Sequence, residues 1–365
     1  MKKLIILTTC VLCVLPAFSE SIGGNATPAK RPQNPQPPYP YHSEDVRFEN
    51  KEAGVVLAGT FTWPKEGKNF PAVVLISGSG PQNRNEEVLG HSPFWVLSDY
   101  LTRNGIAVLR YDDRGVAESG GDYKTAGLDD FATDAAAALG YLKTRKEISP
   151  KKTGVIGHSE GGTLAFMLAG EKKNNPAFVV SMAGMAIPGD SLLRMQRYLI
   201  GTKSGASEEA IAQNEALVET INNLINRYPA DSVLQNINRL ADEVLPDSLK
   251  NNSVIRMAFQ QGVRQMMSPE LQSLMKCNPA GALAKTQCPV LALGGDKDLQ
   301  VPAGINLNRI KTSVKGPVTV KEYSGLNHLF QHCSTGLIGE YGSIEETIAP
   351  EVLNDITVWI KQIVR

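Results

Sequence analysis

The feature that most constrains the fold is a glycine-rich joint, GHSEGG at residues 157–162. It follows a short apolar run, 153–156, typical of a buried strand, and precedes residues 163–169, which have the spacing of a helix packed on a sheet. A strand that turns at once into a helix strains its central residue, and neighbours without a Cβ permit the close approach. The joint matches the G-x-S-x-G pattern in its strand-turn-helix context, so Ser159 is a candidate nucleophile. A glycine-rich turn without chemistry is the alternative.

Length and charge limit the classes of function. The chain has 365 residues, of which 42% are hydrophobic, with 37 basic and 37 acidic side chains. This is enough material for one large core and an insertion. The formal net charge of zero, without a dense Lys/Arg stripe, argues against nucleic acid and anionic membrane surfaces as partners. We therefore expect a small-molecule ligand.

The first 19 residues have the pattern of a signal peptide. Two lysines precede an apolar run, and a small-x-small cleavage site follows at 17–19. The apolar run is shorter than the roughly 20 residues of a spanning helix, so no integral membrane span is expected. We expect export to the periplasm or beyond. A lipoprotein anchored at Cys10 or Cys13 is the weaker alternative, because the residues before each cysteine suit that signal poorly.

Residues 20–45 are predicted to form a linker. Six prolines lie between Pro28 and Pro40, among polar residues that bury little apolar surface. After cleavage the chain keeps Cys277, Cys288 and Cys333, which allow at most one disulfide. A bond between Cys277 and Cys288 is conceivable, but the sequence does not establish it.

Strand and helix patterns alternate along the rest of the chain, which predicts a doubly wound, mostly parallel α/β sheet covered on both faces. After an initial hairpin, 46–48 and 55–63, the predicted strands are 72–76, 106–111, 153–156, 177–182, 290–293 and 318–323, and the predicted helices include 94–103, 128–146 and 350–364. The α/β core is assigned to residues 46–186 and 288–365. Residues 187–287 show helical periodicity without a convincing strand, and we interpret them as a helical cap inserted at the carboxyl edge of the sheet.

A serine nucleophile needs a histidine base within hydrogen-bond reach. His42 lies in the linker, His91 in an early loop, and His158 in the turn itself. His328 comes directly after the last predicted strand, at the sheet edge where catalytic loops collect. We therefore predict His328 as the base, with His332 as the weaker candidate.

The acid that orients this base is expected in the loop 294–302, GGDKDLQVP. Asp298 is favoured, while Asp296 is assigned to shaping the turn, as Asp and Gly often do. The chain order Ser159, Asp298, His328 is the one found in α/β-hydrolases. The backbone N–H of Glu160, the residue after the nucleophile, is the first expected oxyanion-hole donor.

These motifs make the chain resemble the α/β-hydrolase superfamily, in the branch of secreted bacterial esterases and serine aminopeptidase-like hydrolases. Besides the triad, the resemblance rests on residues 57–60, 77–84, 111–115 and 288–293. One departure is Ala117, where relatives often have glycine. The resemblance implies the α/β-hydrolase fold with a helical cap, no cofactor, and a second oxyanion donor, the N–H of Ser79. No His or Cys accompanies Asp112 and Asp113 as a metal-ligand set, and Asp112, Asp113 and Arg114 are interpreted as turn and salt-bridge residues.

The side chain of Glu160 raises a separate question, because a carboxylate beside the nucleophile disfavours the oxyanion unless it is neutralised. We hypothesise that Arg84 in the 77–84 loop pairs with Glu160, since the two loops are expected to converge.

The predicted reaction is hydrolysis of carboxylic esters of small acyl substrates through an acyl-enzyme on Ser159. A serine peptidase, aminopeptidase or amidase is the alternative, and an acidic cluster in the cap facing Ser159 would favour an aminopeptidase. A non-catalytic ligand binder on the same scaffold is a third possibility.

Overall fold

A computed structural model describes residues 30–245 and 247–365. The predicted signal peptide, 1–19, and the first part of the predicted linker lie outside the described residues. One eight-stranded sheet organises the rest, with strand order β1-β2-β4-β3-β5-β6-β7-β8. The strands are β1 (Tyr41–Asn50), β2 (Val55–Pro64), β3 (Phe70–Ile76), β4 (Ala107–Tyr111), β5 (Ile148–His158), β6 (Val179–Met182), β7 (Val290–Gly295) and β8 (Val318–Tyr323).

Fourteen α-helices of four residues or more flank this sheet or lie in the insertion, within the described ranges. The helices of the core are α1 (Pro93–Arg103), α2 (Leu128–Lys143), α3 (Glu160–Gly170), α12 (Ala303–Ser313), α13 (Ile338–Tyr341) and α14 (Pro350–Ile363). The helices of the insertion are α4 (Gly189–Lys203), α5 (Glu208–Arg227), α6 (Ala230–Gln235), α7 (Ile237–Val244), α8 (Asp247–Lys250), α9 (Ser253–Met266), α10 (Pro269–Lys276) and α11 (Ala280–Lys285).

The sheet is mostly parallel and is covered on both faces. The antiparallel pairs are β1 with β2 and β2 with β4, and the other five pairs are parallel. Strands β3 to β7 carry nearly continuous buried apolar runs, as parallel strands between two helical layers do. One hydrophobic cluster includes residues of α2, α3 and α12, and the cluster on the opposite face includes residues of α1 and α14. The predicted doubly wound, mostly parallel fold is confirmed.

The first strand begins earlier than the sequence predicts, at Tyr41 inside the predicted linker 20–45. It pairs with β2 along its whole length, and its buried residues alternate towards the core at Val46 and Phe48. The alternation is weak before residue 46, because exposed polar side chains fill that part of the strand. Just before the strand, the Arg31 guanidinium donates to the carbonyl oxygens of Gly342 and Ile344, both at 2.8 Å.

The insertion between β6 and β7 is helical throughout its described residues, from α4 to α11. Its helix α10 reaches the core at two points. Glu270 accepts a hydrogen bond from the Gly80 N–H at 2.7 Å, and Ser273 Oγ accepts one from the Leu128 N–H at 3.0 Å. The insertion is therefore attached to the loop after β3 and to the start of α2.

Two further properties concern membrane spans and cysteines. In the ranges that the structure describes, no helix combines the length and apolarity that crossing a membrane requires. Cys277, Cys288 and Cys333 are free thiols.

The turn between β5 and α3 is so tight that glycine is required on both sides of Ser159. A Cβ on Gly157 would lie 2.0 Å from the Gly161 carbonyl oxygen, and one on Gly161 would lie 2.1 Å from that of Ile76. Neither distance is compatible with a side chain, because both neighbours are backbone atoms. Ser159 itself has φ 53° and ψ −120°, a strained conformation for a residue with a side chain.

Replacement of Gly157 by alanine is expected to lower the free energy of unfolding by about 2 kcal/mol or more, since the new methyl group forces the backbone apart. Gly140 is the matched control, because it lies exposed in α2, and a Cβ added there would meet no other atom within 4 Å. There, Gly140→Ala should stabilise by about 0.5–1 kcal/mol through helix propensity. Urea unfolding of the two variants measures both effects, and equal stabilities would contradict the close-approach argument.

Candidate functional site

Ser159 lies at the carboxyl end of β5, at the start of α3. Its N–H donates to the Met182 carbonyl oxygen at 2.8 Å, which fixes the turn to the neighbouring strand β6. Glu160 is the first residue of α3, where backbone N–H groups have no partner inside the helix. The turn thus holds a partly buried hydroxyl beside the positive end of a helix.

Asp298 and His328 form a buried pair. Asp298 Oδ2 lies 2.7 Å from His328 Nδ1, and the two residues are 3% and 5% exposed. The other carboxylate oxygen accepts from the N–H groups of Gln300 and Val301, at 2.8 and 2.9 Å. The carboxylate is thereby held in one orientation, and it directs the opposite ring nitrogen of His328 away from itself.

The remaining candidates occupy other positions. Asp296 accepts from the Gly325 N–H and the Ser324 hydroxyl, at 2.7 and 2.9 Å, so it shapes the turn beneath His328. His332 is exposed and pairs with Glu346 at 2.9 Å. His91 is fully buried, and its ring nitrogens lie 3.0 Å from the Thr347 hydroxyl and the Tyr341 carbonyl oxygen. His42 stacks on the Trp63 ring.

Every second residue of the 77–84 loop, from Gly78 to Arg84, donates its backbone N–H to a carboxyl group. Its N–H donations are Gly78 to Glu86 (2.7 Å), Gly80 to Glu270 (2.7 Å), Gln82 to Asp113 (2.9 Å) and Arg84 to Asp112 (2.7 Å). Ser79 lies between two of these donors, and no residue in the described part of the chain accepts from its N–H. The Ser79 N–H is therefore available to a ligand beside Ser159.

His158 and Glu86 form a second buried pair that the sequence did not indicate. His158 Nδ1 lies 2.9 Å from Glu86 Oε1, and its Nε2 lies 3.0 Å from the His328 carbonyl oxygen. An ionised Glu86 carboxylate and the carbonyl oxygen are both acceptors, and only the imidazolium form of the ring donates to both. Burial lowers the pKa of His158, but the Glu86 carboxylate and the two hydrogen bonds outweigh it and raise that pKa above its ordinary value. This pair joins the 77–84 loop to the backbone of His328.

Three carboxyl groups lie together behind Ser159. Burial, together with the neighbouring carboxyls of Glu270 and Asp113, raises the pKa of Glu160 well above its ordinary value. Burial likewise raises the pKa values of Glu270 and Asp113. Glu160 is 6% exposed, and its Oε2 has no hydrogen-bond partner among the described residues. A cavity of about 10 Å³, lined by Glu160, Asp113 and Tyr123, separates these groups and is about the size of one water. The raised pKa thus favours the neutral carboxyl form of Glu160.

The hypothesised pair between Arg84 and Glu160 is wrong. Arg84 Nη2 lies 2.6 Å from Asp112 Oδ2 and 2.8 Å from Glu118 Oε2. Asp112 is 1% exposed, and a buried carboxylate needs a counter-charge more than an exposed one does. Arg84 therefore supports the 77–84 loop through Asp112 and Glu118 and not through Glu160.

Asp113 and Arg114, which belong to the 111–115 motif with Asp112, have different roles. Arg114 pairs with Asp134 at 2.6 Å, as its interpretation as a salt-bridge residue implies. Asp113 forms no ion pair with a described residue and accepts instead from the Ser77 hydroxyl at 2.8 Å and from the Gln82 N–H. No group of three His, Cys, Asp or Glu side chains within the described ranges has an arrangement that would hold a metal ion.

Two small cavities, each of about 40 Å³, meet at Ser79 and Ser159. The histidine-side cavity is also lined by His158, His328, Val88, Leu329, Ile338 and Tyr341. The cap-side cavity is also lined by Met185, Leu192, Leu193, Leu274 and Val301. A substrate at Ser159 thus has space on two sides. His328 lines the histidine-side cavity and does not line the cap-side cavity.

The raised pKa of Glu160 makes stability depend on pH. Because the folded pKa exceeds the unfolded value of about 4.3, the stabilising contribution is complete below that value and is lost as pH rises through the folded pKa. Glu160→Gln cannot ionise, so the Tm of the parent should fall relative to that of this variant as pH rises above about 4.3 and through the folded pKa of Glu160. Scanning calorimetry against pH measures the difference. Glu66→Gln, at an exposed position, should track the parent, and a constant difference for Glu160→Gln would refute the protonated state.

The Glu86 carboxylate is expected to influence kcat because it helps to hold the 77–84 loop in place. Glu86→Gln keeps the shape but removes the charge that pairs with His158 and the stronger acceptor of the Gly78 N–H, so the 77–84 loop loses definition. We expect kcat to fall about tenfold, a part of the effect of losing one oxyanion donor, with KM within about threefold. Steady-state kinetics test this against Glu87→Gln, an exposed neighbour. Equal losses in the two variants would exclude a positioning role.

Comparison with known proteins supplies the family context. Residues 53–309 match the family described as X-Pro dipeptidyl-peptidase (S15 family). Among curated proteins, the chain is 27% identical to esterase EstD of Thermotoga maritima over 293 residues, which is 80% of this chain and 62% of EstD. The chain therefore spans less than two thirds of the length of that relative.

Solved structures share the fold at low sequence identity. The α/β-hydrolase GrgF from Penicillium sp. sh18 matches with a TM-score of 0.55 at 16% identity, covering 88% of this chain and 98% of that one. The Pyrococcus furiosus esterase Pf2001 matches with a TM-score of 0.52 at 16% identity, covering 94% and 99%. Together with the observed sheet, these likenesses confirm the predicted α/β-hydrolase fold.

Proposed function

The chain belongs to the X-Pro dipeptidyl-peptidase (S15) family, and on that premise we propose that it is a serine hydrolase that cleaves carboxylic esters of small acyl substrates. The observation that carries the proposal is the buried Asp298–His328 pair, at 2.7 Å, in a cavity that Ser159 and Ser79 also line. Nucleophile, base, orienting acid and oxyanion donor are the four roles that acyl transfer requires. The esterase names of EstD and Pf2001 agree with this reaction.

The proposed mechanism proceeds through an acyl-enzyme. His328 takes the proton of the Ser159 hydroxyl as the oxygen attacks the acyl carbonyl, and Asp298 stabilises the imidazolium that forms. The N–H groups of Ser79 and Glu160 receive the oxyanion. His328 then protonates the leaving alcohol, and water, deprotonated by the same histidine, releases the acid and restores Ser159.

The surroundings of Ser159 favour esters over peptides. The cap contributes one carboxyl group, that of Glu270, and it accepts from the Gly80 N–H behind the 77–84 loop. An aminopeptidase needs a carboxylate that faces the substrate ammonium group. The unpartnered Oε2 of Glu160, a residue that lines the cap-side cavity, is the observation that supports aminopeptidase activity as the second candidate.

A fluorophosphonate probe and a substrate panel test the proposal. The probe should label Ser159 in the folded protein and should not label Ser159→Ala. If the enzyme is an esterase, chromogenic acyl esters should be hydrolysed with kcat/KM at least about a hundredfold above that for aminoacyl anilides. A preference for aminoacyl anilides would establish the second candidate, and absence of labelling would exclude a serine hydrolase.

Two variants in the 294–302 loop test the assignment of Asp298 as the acid that orients His328. Asp298→Asn should lower kcat by about 10³- to 10⁴-fold, because the amide no longer fixes the His328 tautomer that accepts the serine proton. Asp296→Asn, in the adjacent turn, should keep kcat within about tenfold, since its contacts are to Ser324 and Gly325. Similar losses in both variants would contradict the assignment of Asp298 as the acid.

A further inference from the structure

The two cavities at Ser159 are chemically distinct, because only the histidine-side cavity is lined by His328. The histidine that takes the serine proton must deliver it to the leaving-group oxygen, so the leaving group lies on its side. On the proposed function, the alcohol therefore occupies the histidine-side cavity. The acyl chain is left with the cap-side cavity.

The cap-side cavity suits a short apolar chain. Five buried apolar side chains line it, and Glu160, Gln196 and Gln300 complete the lining beside Ser79 and Ser159. The apolar five are Met185, Leu192, Leu193, Leu274 and Val301. Its volume of about 40 Å³ accommodates about three water-sized groups. Beyond the carbonyl carbon, this is about the size of a propyl chain, so butyryl is the longest straight acyl group that fits without displacement.

A much larger space lies directly behind one wall of this cavity. The outer groove, between α4 and α5, has a volume of about 720 Å³, within the range of ligand-binding pockets. Its apolar lining residues are Leu193, Met195, Ile211, Val218 and Met275, with the half-exposed Tyr198, and polar or charged side chains, among them Arg194, Arg197, Glu215 and Glu219, form the rest of the lining. Leu193 lines both spaces, whereas its neighbour Leu192 lines only the cap-side cavity.

We propose that Leu193 sets the acyl-chain length of this enzyme by closing the cap-side cavity against the outer groove. The inference rests on the proposed function and adds its substrate class, esters of straight acyl chains of about four carbons or fewer. Leu193 is 4% exposed and lies on α4, so its side chain is held by packing. Removing that side chain joins the cap-side cavity to the outer groove, so a longer acyl chain can extend into the groove.

The experiment compares 4-nitrophenyl butyrate, hexanoate and decanoate as substrates of the full mature protein. For the parent, kcat/KM should fall steeply as the acyl chain becomes longer than butyryl. In Leu193→Ala the ratio of decanoate to butyrate kcat/KM should rise at least about tenfold, because each methylene that finds apolar surface contributes about fourfold. If thermal unfolding shows that Leu193→Ala does not fold, Leu193→Val should still raise the ratio by about threefold.

Leu192→Ala is the matched control, since it removes the same atoms from the same cavity without reaching the groove. It should improve hexanoate relative to butyrate and leave the decanoate ratio within about twofold of the parent. An equal decanoate gain in the two variants, or an unchanged ratio in folded Leu193→Ala, would overturn the assignment of Leu193.

Phosphonate labelling separates this inference from the proposed function. Ser159 Oγ attacks the phosphorus of ethyl 4-nitrophenyl alkylphosphonates, 4-nitrophenolate leaves, and His328 takes the serine proton. The parent should react faster with the propyl than with the nonyl phosphonate, which match butyrate and decanoate, and Leu193→Ala should narrow this difference in rate at least about tenfold. Chain-selective labelling without hydrolysis of any ester would support the cavity assignment and refute esterase activity. Labelling indifferent to chain length would overturn the assignment alone.

Discussion

The close approach of two backbone segments at the turn between β5 and α3 determines the geometry of the whole site. Gly161 lies against the carbonyl oxygen of Ile76, at the end of β3, so the nucleophile turn and the loop that follows β3 are fixed to each other. Ser159 and Ser79 come from these two segments, and both line the two cavities where a substrate would lie. A side chain at Gly157 or Gly161 would separate the Ser159 hydroxyl from the Ser79 N–H group, which the proposed function requires together.

Carboxyl groups then hold the 77–84 loop from behind. They come from three parts of the chain, after β4 at Asp112 and Asp113, from Glu86, and from Glu270 in the insertion. Backbone N–H groups satisfy them, as do Arg84 for Asp112 and His158 for Glu86. Burying so many acids is costly unless each is hydrogen-bonded or neutral, and both solutions are used. The loop is rigid because many partners define it, although glycine makes its sequence flexible.

The sequence predicted the fold and the positions of Ser159, Asp298 and His328, because parallel strands bring their carboxyl ends to one edge, whatever their spacing along the chain. It failed where orientation matters. A charge of each sign on two converging loops suggested that Arg84 meets Glu160, yet the arginine pairs with Asp112 and Glu118. His158 and Glu86 were missed for the same reason, since neither the pattern of the turn nor its charge shows that a histidine ring faces two acceptors. Cavity walls such as Leu193 depend on packing between helices, which periodicity does not resolve.

The hydrogen bond from the Gly80 N–H to Glu270 has a consequence for motion. Glu270 begins helix α10 of the insertion, whereas Gly80 is next to the residue whose N–H is free to bind an oxyanion. If α10 swings outward, the loop loses an anchor at the moment the cavity opens to solvent. On the proposed function, an outward position of α10 would therefore leave the 77–84 loop without one of its hydrogen bonds while substrate enters.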